Sequence, residues 1–179
     1  MNMVKKRALV VKDVLDRNGC NYEIEKKAGQ ITFSLEDKYN KLTSNCQTHF
    51  IITISHRGIS VCGVLATYIP EDYRLAVSQL LLLLNKDLKE ETESNDEIMF
   101  DIDAREGVVG IRCMYAFAIW RCPDDLYAAA IISLPISLMD RCGGGILAVA
   151  NGEKTAEEAY EDIVNADSSS VSVGFLEDI

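Results

Sequence analysis

Two stretches of this chain combine residue types that perform chemistry when a fold gathers them. Arg141-Cys142-Gly143-Gly144-Gly145 sets a thiol beside a glycine run. If a helix began at Gly145, its unpaired backbone N–H groups would stabilise a thiolate or hold an anion. The sequence places no His or Asp partner there, and the spacing matches neither a phosphate loop nor a dinucleotide turn. A buried cysteine near a kink is the preferred reading, with a thiol-dependent enzyme using Cys142 as the alternative. Asp101, Asp103 and Glu106 around Arg105 have the look of a carboxylate pair or a hard-metal site. Strand alternation puts Asp101 and Asp103 on one face, where Arg112 of a partner strand answers them. A cation would need more oxygen ligands and a tighter loop, so a solvated sheet face is expected. His49 and His56, the only histidines, fall on opposite faces across a strand, and no metal or cofactor is expected.

The elements that position these residues follow from apolar periods. Val4, Ala8, Val11, Val14 and Leu15 recur at helical spacing and are stopped by Asn18-Gly19, which predicts an amphipathic helix in need of a sheet. Tyr22 and Ile24, then Ile31, Phe33 and Leu35, alternate around an Ala-Gly turn as strands do, and a loop rich in Asn, Lys, Ser and Thr follows. Residues 50–54 and 59–68 read as one hairpin and residues 98–103 and 109–115 as a second, with the acidic linker 89–96 before the latter. Tyr115 and Trp120 are expected to close the core end of the last hairpin; if exposed as a pair, they would mark a contact patch. From Pro123 the chain turns helical and almost uncharged through Leu138, implying burial on more than one side. Pro135 should kink this helix. The three glycines should break it or admit a very close neighbour, since each costs about 1 kcal/mol in a helix interior. Thr155 caps a last short helix, and the tail from Asp167 is expected to be loose.

Between the hairpins lies the most distinctive feature, five consecutive leucines at Leu80 to Leu84. Pro70, Glu71 and Asp72 open a helix that should end by Leu88. Its core stripe is Tyr73, Ala76, Val77, Leu80, Leu84 and Leu88, which leaves Leu75 and Leu82 on roughly the opposite side at about 100° per residue. Two coverings compete for that second face: a sister subunit, or the chain's own C-terminal helices.

Composition narrows the function classes. With 48% hydrophobic and 26% charged residues over 179 positions, one domain with a substantial core is expected. A net charge of −10 argues against nucleic acid, whose affinity rests on Lys and Arg. Charged residues interrupt the apolar stretches well short of the roughly 20 residues a bilayer requires, so no membrane span is expected. The apolar run at Ala8 to Val11 is too short for a secretory signal, and six cysteines without a CxxC pair suit a reducing cytoplasm.

Four segments stand out together: Gly29 to Phe33; Tyr73, Arg74, Val77, Leu80 and Asn85; Phe100-Asp101-Ile102-Asp103 through Gly107 to Arg112; and Met139-Asp140 through Gly152 to Ala156. In order and spacing they resemble the YbjN-like family of bacterial sensory transduction regulators. The resemblance implies a fold similar to type III secretion chaperones and a non-catalytic, commonly homodimeric module. The expected architecture is α+β: an N-terminal helix, a twisted antiparallel sheet of five to six strands, and a middle helix and long C-terminal helix packed on it. Residues 1–166 form the domain and 167–179 a flexible tail. The expected function is protein interaction, chaperone-like or regulatory, as a cytoplasmic homodimer with a further protein partner. Leu75, Leu82 and Leu83 are its candidate interface, and a small-molecule sensor is the alternative beside the Cys142 enzyme.

Overall fold

Alternating burial along the strands shows how the sheet forms. In β3 (Thr48–Ser55) and β4 (Gly58–Tyr68), Phe50, Ile52 and Ile54 oppose Ile59, Val61 and Gly63 on the buried face, while His49, Thr53 and Ser60 turn away from it. The computed structural model describes residues 2–35, 48–91 and 97–170. The expected loop after Leu35, most of the acidic linker and the last nine residues lie outside that set. β1 (Tyr22–Lys27) and β2 (Gln30–Leu35) meet at a turn where Gly29 has φ 76°. β5 (Glu97–Asp103) and β6 (Val108–Ala116) form the last hairpin. The six strands make one antiparallel sheet in the order β1-β2-β3-β4-β6-β5.

The helices cover the apolar face. α1 (Met3–Arg17) lies on β2 and β3, α2 (Arg74–Glu91) runs along β5, and α3 (Asp125–Ala150) crosses β3, β4 and β6. α4 (Ala156–Ser170) packs on α2 and α3. Local signals set the ends. Asn2 accepts a hydrogen bond from the Val4 N–H at the start of α1, and Asn18 donates back to the Val14 carbonyl at its end. Thr155 and Glu158 exchange reciprocal backbone bonds at the start of α4, a capping box. That helix continues to Ser170, so positions 167–170 are helical rather than part of a loose tail. The middle helix runs three residues past Leu88, and Tyr73 sits in a 3-10 turn, Glu71–Tyr73, ahead of it.

α3 runs without a break through Gly143 to Gly145, with Pro135 inside it. The close neighbour, not the break, is what the glycines permit. A Cβ on Gly145 would sit 2.7 Å from Cδ1 of Ile163 in α4, while one on Gly144 would meet nothing within 4 Å. Nothing in the structure explains Gly144. At 26 residues α3 is long and apolar enough to cross a membrane by length and composition. Here Ile131, Leu138, Met139 and Ile146 are buried in the core instead.

Replacing Gly144 by Ala should raise stability by about 1 kcal/mol, because the helix gains propensity at no steric cost. The same change at Gly145 should give no gain, since Ile163 must move. Urea unfolding of the two variants separates them, and equal stabilisation would show the α3–α4 contact to be slack.

Candidate functional site

One buried cation organises one end of the molecule. Arg7 in α1 is 0% exposed, and its guanidinium donates to four backbone carbonyls: Ser55 at 2.9 Å, His56 at 3.1 Å, Ala118 at 2.9 Å, and Arg121 from two nitrogens at 3.1 and 2.9 Å. The Phe117 ring lies 5.2 Å from the guanidinium carbon. Burial draws the guanidinium pKa down, with Cys122 acting the other way, and no carboxylate reaches the group among the described residues. Ala118 and Arg121 also close a turn on themselves, the Arg121 N–H donating to the Ala118 carbonyl at 2.8 Å. That pinned turn projects Ile119 and Trp120 outward, at 72% and 82% exposure. Trp120 is therefore not a core residue; only Tyr115 closes the hairpin, and the expected pair is split.

On α2, Val77, Leu80, Leu81, Leu84 and Leu88 are buried, whereas Leu75 and Leu82 are 73% and 70% exposed. Leu83 is half-buried. Tyr73 is not a core-stripe residue; it leans on the α3–α4 turn, where a Cβ at Gly152 would come within 2.6 Å of its hydroxyl. Arg74 donates to the carbonyls of Ile69, Ala104 and Arg105. Asn85 both donates to the Phe100 carbonyl at 2.9 Å and accepts from the Phe100 N–H at 2.7 Å. Residues picked out in the middle helix thus fasten the fold.

A groove of about 620 Å³ opens between α1, the end of β2 and the first half of α3. Leu15, Leu35, Leu126, Ala130 and Ile136 make it apolar, and among the described residues Asp140 is the one charged side chain lining it. Burial raises the Asp140 pKa above the ordinary carboxylate range, and no hydrogen bond or ion pair compensates it among the described residues.

The chemical candidates stay apart. Cys142 is buried within continuous α3, so no helix start at Gly145 offers N–H groups to its thiol. Cys113, also in the core, has its thiol pushed up to about 12 by burial. Asp101 pairs loosely with Arg112 at 3.8 Å, as expected of an exposed face. Asp103 instead accepts the Arg105 and Glu106 N–H groups in its own turn, which lowers its pKa. His49 sits on β3 and His56 in the following turn, both exposed. No cluster of metal-ligating side chains occurs among the described residues. Comparison with family models, curated proteins and solved structures gave no match.

The sequence does carry a signal for Arg7: it follows Val4 by three residues and adjoins Ala8, so it falls on the buried stripe. Asp140 and the Ile119-Trp120 tip carried none, because their surroundings come from distant segments.

Arg7→Met should cost at least about 3 kcal/mol, since it removes all the hydrogen bonds of a buried guanidinium and strips donors from four backbone carbonyls. Arg7→Lys should recover only part, lacking the planar fork. A loss below about 0.5 kcal/mol in denaturant unfolding, the size of a surface substitution, would show the clamp idle. Asp140 works in the opposite direction. Its folded pKa is raised, so its favourable contribution exists below the unfolded pKa and is lost as pH rises through the folded value. Asp140→Asn should therefore stabilise the protein at neutral pH, with the advantage fading towards acid; a pH-independent difference would refute the desolvation account.

Proposed function

We propose that this protein is a non-catalytic interaction module that pairs with a second copy of itself through the outward face of α2. The observation behind this reading is the exposure of Leu75 and Leu82, seven residues apart and so on one stripe. The chain's own C-terminal helices were the rival covering. α3 and α4 do reach α2, with the Tyr160 hydroxyl donating to Asp87 at 2.6 Å, yet both leucines stay open. A two-fold axis across this stripe would set each leucine of one copy against the same stripe of the other. The half-buried Leu83 borders the contact. Burying four leucines contributes roughly 6 to 12 kcal/mol, the same order as the cost of association, so the pair is reversible and concentration-dependent.

The resemblance to YbjN-like proteins, which implies a homodimeric and non-catalytic module, points the same way. A cytoplasmic setting fits the core thiols of Cys113 and Cys142. On this reading the dimer serves as a chaperone-like or regulatory platform for a further protein partner, and the pinned Ile119-Trp120 tip is a suitable anchor for one, because rigid exposed tryptophans dominate many interfaces.

Sedimentation velocity across a concentration series should show a monomer–dimer equilibrium for the natural chain. Leu82→Glu should leave a folded monomer at every concentration. A natural chain that stays monomeric throughout, or a variant that dimerises equally well, rules this interface out.

A further inference from the structure

We propose that the groove between α1 and α3 binds a small amphiphilic amine, its ammonium group on Asp140 and its apolar body along Leu15, Leu35, Ala130 and Ile136. The volume of about 620 Å³ lies within the range of pockets that enclose a small molecule. Its surface is overwhelmingly apolar, so the ligand body is hydrocarbon-like; Ser133 and Ser137 are the lining hydroxyls.

Charge complementarity selects the head group. Among the described residues Asp140 is the sole charged side chain on the lining, it is half-buried, and no described group compensates it. An ammonium group would supply an opposite charge and hydrogen-bond donors to this half-buried carboxylate. A carboxylate ligand would add repulsion, and a neutral alcohol would leave the charge uncompensated. Size speaks for a small molecule over a protein segment, because the apolar lining is confined to one face of α3 and the adjoining ends of α1 and β2. This site is separate from the α2 stripe and does not depend on dimerisation.

The test is calorimetric titration of the full chain with octylammonium, octanol and octanoate, supported by amide chemical-shift mapping. Octylammonium should bind saturably, at least about tenfold tighter than octanol, the margin of one charge-assisted hydrogen bond. Octanoate should not bind. Shifts should cluster on residues 126–140. Asp140→Asn, checked for folding by circular dichroism, should abolish the preference for the ammonium. Ala130→Phe, which fills the groove while keeping Asp140, should weaken octylammonium and octanol alike. Failure of octylammonium to bind saturably, equal affinity for the three probes, or a preference that survives Asp140→Asn each overturns the proposal. Occupation of the groove by the chain itself would appear as the first of these.

Discussion

The Arg7 guanidinium is the constraint on which the arrangement of α1, the sheet and α3 rests. A charge taken wholly out of water is costly unless every donor is used, and here the hydrogen bonds go to backbone carbonyls, with the Phe117 ring beside the guanidinium. Those carbonyls belong to two segments far apart in sequence, the β3–β4 turn and the connection from β6 to α3. One side chain thus holds α1 against the sheet and fixes where the chain leaves β6. It follows that the Ile119-Trp120 tip and the start of α3 have defined positions. The gap between α1 and α3, which is the groove, is set by the same anchor. Loosening Arg7 would disturb surfaces that it does not touch.

A second constraint acts at the far side of the sheet. β5 is an edge strand, and an open edge invites pairing with other chains. Asn85 places its side-chain amide where a seventh strand would lie, satisfying both the N–H and the carbonyl of Phe100. Arg74, three helical turns earlier, binds the β5–β6 turn. These contacts set the rotation of α2 about its axis. With Val77, Leu80, Leu84 and Leu88 facing the core, Leu75 and Leu82 are left outward as a geometric consequence. The opposite edge is managed differently: β1 carries Glu23, Glu25, Lys26 and Lys27, charges that discourage further strand pairing.

How much of this was legible depended on the range of the interaction. Strand alternation and helix period are local, so the four helices and three hairpins, including the Gly29 turn and the Thr155 cap, follow directly from neighbouring residues. The angular argument that separates Leu82 from Leu80 and Leu84 is also local, and it places Leu82 outward as observed. Continuity of α3 was not legible, because glycine propensity says only that a break is cheap. What keeps the helix whole is tertiary, with α4 close enough for Ile163 to rest on Gly145. Trp120 misled for a related reason: an aromatic after a core strand is normally buried, but the Arg7 clamp holds its turn away from the body. Arg7 lies in phase with the buried stripe of α1, but the carbonyls that hold it come from segments far along the chain.

Asp140 and the two exposed leucines are unfavourable for the isolated chain in complementary ways. A half-buried carboxylate without a partner among the described residues lowers stability at neutral pH, and apolar side chains in water give up the benefit of burial. Neither follows from the fold. Asn at 140 would keep the helix without the charge, and Gln or Lys at 75 and 82 would suit a solvent-facing helix better than Leu. Structural needs do account for the other conspicuous polar residues: Arg7, Arg74, Asn85 and Asp103 each satisfy backbone groups. Set apart from those, the groove carboxylate and the leucine stripe are local costs that a bound cation and a second subunit would respectively relieve. They lie on different helices and answer to different chemistries, so occupying one leaves the other available.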